Sequence, residues 1–325
     1  MPGVLSGQPG DPYMVENRSR QPTLRQLRYF LALVEQQHFG RAAEACFVSQ
    51  SAFSNAIQEL EATLGRQLVD RTNRRVTITA TGQEIAIQAR LCLRDVEALV
   101  EMARRDDEPL AGRLRLGVIP TIAPFMLPPL LPELRRRFDK LQLLLVEGQT
   151  LELHERLLRG DLDAILIALP FELAHVEVMP LFREGFRLAC RSDTTLVDPE
   201  NYRFNRLNAE SVMLLEDGHC LRDHAMAACR VRNTDTVSRF AATSILTLIE
   251  MVDADLGVTF LPEMAKGSAL LRQTRVKTFP LKERGYREIA LLWRSASGRS
   301  EEFRMLGEFL GGFSENKKRR QASRP

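Results

Sequence analysis

The stretch RAAEACFVSQSAFSNAIQEL, Arg41 to Leu60, decides how this chain is read. Its first part is rich in small residues (Ala42, Ala43, Ala45, Cys46), which let a short helix cross another closely. Phe47-Val48-Ser49 reads as a turn. Beyond it, Phe53, Ala56, Ile57, Leu60 and then Leu64 fall on one apolar helix face. The other face carries Gln50, Ser51, Ser54, Asn55 and Gln58. An α-helix fits the major groove of DNA, and polar residues near its N-terminus reach base edges. These five are therefore candidate DNA contacts.

The flanks support this reading. Upstream, Thr23 followed by Gln26 is a capping-box pattern, and Leu24, Leu27, Leu31 and Val34 follow at helical spacing. Downstream, Val76-Thr77-Ile78-Thr79 reads as a strand after a basic turn, whose Arg71, Arg74 and Arg75 are candidate phosphate or minor-groove contacts. An amphipathic helix alone is usually just a solvated helix. The ordered set of helices and wing predicts a winged helix-turn-helix over 23–80.

Next, Thr81-Gly82-Gln83-Glu84 repeats the capping pattern. Ile85, Ala89, Cys92, Val96, Leu99 and Ala103 then alternate in steps of four and three, a heptad seam that calls for a partner helix. This predicts a linker and dimerisation helix over 81–105 and a charged hinge over 106–112. Residues 1–22, polar and rich in Gly and Pro, are expected to be a disordered arm. Residues 313–325, with Lys317-Lys318-Arg319-Arg320, are expected to be a basic disordered tail.

Between hinge and tail, over 113–312, strands alternate with helices. Strand patterns at Leu114–Val118, Leu141–Val146 and Asp163–Leu169, with helices between, form a βαβαβ unit and imply a parallel sheet. Further strands are expected at Val212–Leu215, Gly257–Leu261 and Glu288–Trp293, with a helix over Ser244–Val252. The fold class is thus a winged helix-turn-helix with a long helix, followed by an α/β regulatory domain.

Composition narrows the function. Hydrophobic residues at 44% and charged residues at 27% fit a soluble globular protein. A net charge of +3 is too small to argue for nucleic acid by itself. No apolar run approaches the roughly 18 residues that span a bilayer, and the N-terminus lacks signal-peptide order. A cytoplasmic protein without membrane contact is expected. Its five cysteines (46, 92, 190, 220, 229) then form no structural framework.

In open α/β sheets, ligands sit beyond the carboxyl ends of strands. Thr121, Thr150, His219-Cys220 and Arg294 all fall at such ends, so they are expected to converge on one crevice. Cys220 begins a helix beside His219 and Arg222, a setting that favours a thiolate. The nine-residue interval from Cys220 to Cys229, with one adjacent histidine, matches no common zinc spacing. Neither metal nor cofactor is expected. Two other classes stay open: a metabolite in the crevice with incidental cysteines, and a thiol peroxidase, against which the winged helix argues.

Ala42-Ala43-Glu44-Ala45 through Ser49-Gln50-Ser51-Ala52-Phe53-Ser54, then Ile57-Gln58-Glu59-Leu60-Glu61, Leu64-Gly65, Leu68 and Arg71, resembles the signature of LysR-type regulators. The resemblance implies promoter DNA and RNA polymerase as partners. It also implies a homodimer through the Thr81–Ala103 helix, assembly to a homotetramer, and a two-subdomain effector domain like a periplasmic binding protein. Leu215-Glu216-Asp217-Gly218-His219-Cys220-Leu221-Arg222-Asp223, with Ala225-Met226 and Cys229, resembles the peroxide-sensing branch of that family. So do Ile119-Pro120-Thr121, Gln149-Thr150 and Ala242-Thr243-Ser244.

The resemblance implies a regulator rather than an enzyme, controlling antioxidant genes. The resemblance further implies that hydrogen peroxide oxidises Cys220, as the peroxidatic thiol, to a sulfenic acid, and that Cys229 resolves it as a disulfide. Thr121, Thr150, His219, Arg222, Asp223 and Arg294 are the peroxide-pocket candidates. His224 stands where that branch commonly has a neutral polar residue. Nine helical residues rise about 13.5 Å, whereas disulfide Cα atoms lie within about 7 Å. Oxidation is therefore expected to remodel this segment.

Overall fold

The structure, a computed structural model, describes residues 21–72, 75–104, 110–202, 207–218, 220–228, 234–281, 285–295 and 297–322. The expected arm lies outside these except for residues 21 and 22, and most of the expected hinge lies outside them too. The chain divides into two compact units, Met1–Glu97 and Ala98–Pro325.

In the first unit, α1 (Leu24–Gln36) begins at Thr23, whose hydroxyl accepts the Gln26 N–H at 3.2 Å while Gln26 Oε1 accepts the Thr23 N–H at 2.9 Å. This satisfies two orphan donors of the first turn reciprocally. Helix α2 (Phe39–Ala45) buries Ala42 and Ala43. Helix α3 (Gln50–Leu64) is capped by Ser49 and buries Phe53, Ile57 and Leu60. Strands β1 (Val69–Thr72) and β2 (Arg75–Ile78) pair antiparallel as the wing. The β1 strand was not foreseen in the sequence.

The turn into α3 has an uncommon residue. Phe47 N–H donates to Glu44 O at 3.0 Å and Val48 N–H to Ala43 O at 3.1 Å, the paired bonds of a Schellman stop. That motif puts Phe47 at φ 57°, where glycine is usual. The ring gains nothing from the fold in return, being 95% exposed. Replacing Phe47 with Gly is expected to raise unfolding free energy by about 1 kcal/mol, read as a higher urea midpoint at unchanged slope.

Helix α4 (Ala80–Arg104) follows the wing. Its cap is Thr79, whose hydroxyl accepts the Gly82 N–H at 2.9 Å, and not Thr81 as the sequence pattern suggested. Along the expected seam, Ala89 is buried and Ile85 partly buried against the helix-turn-helix core, whereas Leu99 is 66% exposed. The early seam serves its own unit, and the apolar surface left over lies near the helix end.

The second unit holds two cores around one mixed sheet of order β4-β3-β5-β9-β6-β7, with β8 also paired to β6. Strands β3 (Gly112–Val118), β4 (Leu141–Glu147) and β5 (Ala164–Leu169) are parallel, joined by α5 (Ala123–Arg137) and α6 (Thr150–Leu158). Strand β6 (Val176–Arg191) was missed in the sequence reading and ties the domain together. Its first part pairs with β9 (Tyr286–Arg294), and its last part pairs with β7 (Thr259–Pro262) and β8 (Val276–Pro280).

Val212–Leu215, expected as a strand, makes only isolated bridges at Val212 and Leu215. It leads to α7 (Cys220–Ala228); α8 (Ile245–Asp253) is capped by Ser244, and α9 (Ala269–Arg272) precedes β8. Helix α10 (Ser300–Ala322) runs through most of the segment expected to be a disordered tail. The first core gathers β3, β5, β9 and α10 residues, and it includes Cys220. The second gathers β6, β7 and α8 residues, and it includes Leu221 and Ala225. The N-terminus of α7 thus lies on the seam between the two cores.

Candidate functional site

The parallel strands bring their carboxyl ends to one edge. After β3 the chain turns through Thr121, which is 1% exposed, and after β4 it enters α6 at Thr150, also 1% exposed. Gly218 sits against this second turn. Its φ of 95° requires glycine, and a Cβ there would overlap the Gln149 side chain. The chain therefore reaches Cys220 packed against the start of α6. Cys220 is 6% exposed.

The charge in this crevice comes from a residue that the sequence reading did not select. Arg287 is fully buried on β9, directly across from Glu184 on β6. Its guanidinium donates to Glu184 Oε1 from Nε at 2.9 Å and from Nη2 at 2.7 Å. It also donates to Thr121 Oγ1 at 2.8 Å and to the Thr121 carbonyl at 3.1 Å. Glu184 Oε2 accepts the Met264 N–H at 3.1 Å. A buried pair is tolerated because most of the guanidinium protons and both carboxylate oxygens find partners. The charge is held in place and acts on Cys220.

The candidate list needs three corrections. Arg294 does not enter the crevice, because β9 runs antiparallel to β5 and Arg294 closes the strand at the opposite end. There it donates to the Leu157 and Leu162 carbonyls at 2.9 and 3.0 Å. Arg222 turns from the thiol to Asp217 at 3.2 Å and donates to the Leu215 carbonyl at 3.4 Å. Asp223 is exposed and opposes ionisation of Cys220. His219 and Cys229 lie outside the described residues. The structure brings Cys220, Thr150, Thr121 and Arg287 together.

The thiol is not a ready thiolate. Burial pushes the Cys220 pKa above its ordinary value of 9.0, and Asp223 adds to the rise. Against this, Arg287 lowers it most, followed by the Thr150 hydroxyl. Thr150 Oγ1 is near enough to favour the thiolate but, among the described residues, makes no hydrogen bond of full geometry. The rate of Cys220 alkylation is expected to climb with pH through 9 without levelling off below it, measured by mass spectrometry of its peptide. Cys190 is also buried, and desolvation pushes it up to about 11. It has no hydroxyl or arginine counterpart to offset that.

His224 lies one helical turn beyond Cys220 and is 9% exposed. Its Nε2 is 3.1 Å from the Pro170 carbonyl, which only accepts, so Nε2 carries the proton. Nδ1 is then a bare acceptor, buried without a partner among the described residues. Burial and then the Arg287 charge lower the His224 pKa, outweighing the Pro170 carbonyl and Asp223.

On α3, Gln50, Ser51, Asn55 and Gln58 are exposed and Ser54 is partly buried. Arg71 and Arg75 face Val76 and Thr72 across the wing, and Arg74 is outside the described residues. No group of three metal-ligating residues occurs among the described residues. No helix among them is long and apolar enough to cross a membrane.

Comparison with known proteins places both units. Residues 24–83 match the bacterial regulatory helix-turn-helix protein model of the lysR family, and 107–313 match the LysR substrate binding domain. The regulator EstR of Acinetobacter baylyi is 39% identical over 291 residues, covering 89% of this chain and 96% of its own. A hydrogen peroxide-inducible genes activator of Dickeya chrysanthemi is 40% identical over 282 residues, covering 86% and 92%. The full-length OxyR structure from Pseudomonas aeruginosa superimposes with a TM-score of 0.71 at 34% identity, covering 90% of this chain and 98% of that one.

Proposed function

Because this chain belongs to the LysR family of bacterial regulators, we propose that it is a cytoplasmic transcription regulator that senses hydrogen peroxide through Cys220. The observation that carries this reading is the buried cluster of Cys220, Thr150, Thr121 and Arg287. Peroxide is small enough for such a site, and hydroxyls there can orient it. The Cys220 thiolate attacks one peroxide oxygen, the O–O bond breaks, and the leaving hydroxide takes a proton to become water. Cys229 then attacks the sulfenic sulfur, forming the disulfide and a second water. Arg287, held by Glu184, favours the thiolate during the first step.

Gln50, Ser51, Ser54, Asn55 and Gln58 read base edges in this proposal, and Arg71, Arg74 and Arg75 contact the backbone. The exposed end of α4 pairs with a second copy, and RNA polymerase is the partner at promoters. A Cys220–Cys229 disulfide formed within seconds of adding one equivalent of hydrogen peroxide, mapped by peptide mass spectrometry, supports the reading. A Cys229→Ser protein should stop at the sulfenic acid. Unreacted thiols would leave a second reading, a metabolite in the same crevice. The raised Cys220 pKa favours that alternative.

A further inference from the structure

We propose that His224 is a positioning residue that holds α7 in its helical, reduced arrangement and ties release of that helix to proton uptake. This rests on the reading of Cys220 and Cys229 as a disulfide pair. Cys220 and His224 are four residues apart, so they share one face of α7, and both are buried. That face is fastened outside its own helix by the bond from His224 Nε2 to the Pro170 carbonyl, just beyond β5. The helix from Cys220 to Ala228 already spans about 12 Å, beyond the roughly 7 Å between disulfide Cα atoms. Closing the bond therefore means unwinding part of α7, and in this proposal the unwound part includes the turn that His224 occupies, so that the imidazole leaves its site.

The fastening is built to be weak. One ring nitrogen is satisfied, and the other is a buried acceptor without a donor among the described residues. Arg287 on β9 and Asp223 on α7 itself are the charged groups acting on the ring. Pro170 offers only a carbonyl, and the neighbouring Cys220 is a thiol. Once α7 unwinds, water reaches both nitrogens and the ring regains an ordinary pKa near 6.5. The sign follows from the lowered value in the reduced form. The hold is complete above about pH 6.5 and is lost as pH falls below it, because only the released ring takes up a proton there.

The test equilibrates the full-length protein with reduced and oxidised glutathione between pH 5 and 8, approached from both directions. The dithiol–disulfide exchange itself transfers two electrons to glutathione disulfide and releases no net proton while the thiols are protonated. For the parent protein, the fraction as Cys220–Cys229 disulfide is expected to be flat above pH 7. Below 6.5 its equilibrium constant should rise by up to about tenfold per pH unit, the limit for uptake of one proton. His224→Gln keeps a donor for the Pro170 carbonyl but cannot titrate, so its constant should stay flat throughout. His224→Ala loses the bond and should favour the disulfide by about fivefold at pH 7.5. A parent profile as flat as that of His224→Gln overturns the proposal. Absence of the disulfide in all three proteins overturns the reading beneath it.

Discussion

Cys220→Ser protein is expected to be inert to hydrogen peroxide while binding promoter DNA as the reduced parent does. Serine is nearly the same size as cysteine, so the seam between the two cores remains filled. Its hydroxyl neither ionises near neutral pH nor gives electrons to a peroxide bond. Two of the other described thiols are poorly placed to replace it. Cys190 is buried with a pKa pushed up to about 11, and desolvation also raises the Cys46 thiol, with Glu35 adding to it. Labelling with a sulfenic-acid reagent after one equivalent of peroxide should mark the parent and miss the variant, with DNA affinity measured on the same samples. Equal labelling would move the chemistry to another cysteine.

The largest loss of stability is expected at Arg287. Arg287→Met leaves the Glu184 carboxylate buried and opposed by nothing, and removing one partner of such a pair typically costs about 3–5 kcal/mol. It also frees Thr121 from two of the bonds that fix it. The double variant Glu184→Met/Arg287→Met removes both charges and should recover most of that loss. It should not recover reactivity, since the positive charge that favours the Cys220 thiolate is still missing. Urea melts and the peroxide rate of all three proteins, the parent, Arg287→Met and the double variant, separate the two roles. A double variant with parental reactivity would show that Arg287 only supports the fold.

The helical parts of this protein were legible because their signals are local. The Thr23 cap, the apolar face of α3 and the helix expected over Ser244–Val252 each depend on residues within a turn or two. Strand β6 was not, since Val176–Arg191 pairs with β9 along its first part and with β7 and β8 along its last, and its burial never settles into a simple alternation. The same limit explains Arg294 and Arg287. Both are arginines on one strand, and only the direction of β9 relative to β5 determines which of them enters the crevice. That direction is set by pairing far apart in sequence. Thr121 and Thr150 were legible as neighbours because parallel βα units place their carboxyl ends together whatever the rest of the sheet does; Cys220 joins them from a segment that is not a strand of that sheet.

The position of Cys220 also makes oxidation a matter of volume. Its side chain belongs to one core, while Leu221 and Ala225 on the same helix belong to the other. The sulfur is thus a wedge between two bodies that share the strand β6. Protein interiors are packed as densely as organic crystals, and forcing extra atoms into them typically costs about 1–3 kcal/mol. A single oxygen added to a sulfur that is only 6% exposed therefore presses on both bodies at once. The wedge outgrows its slot, and the helix that carries it, divided between the two cores, takes up the strain.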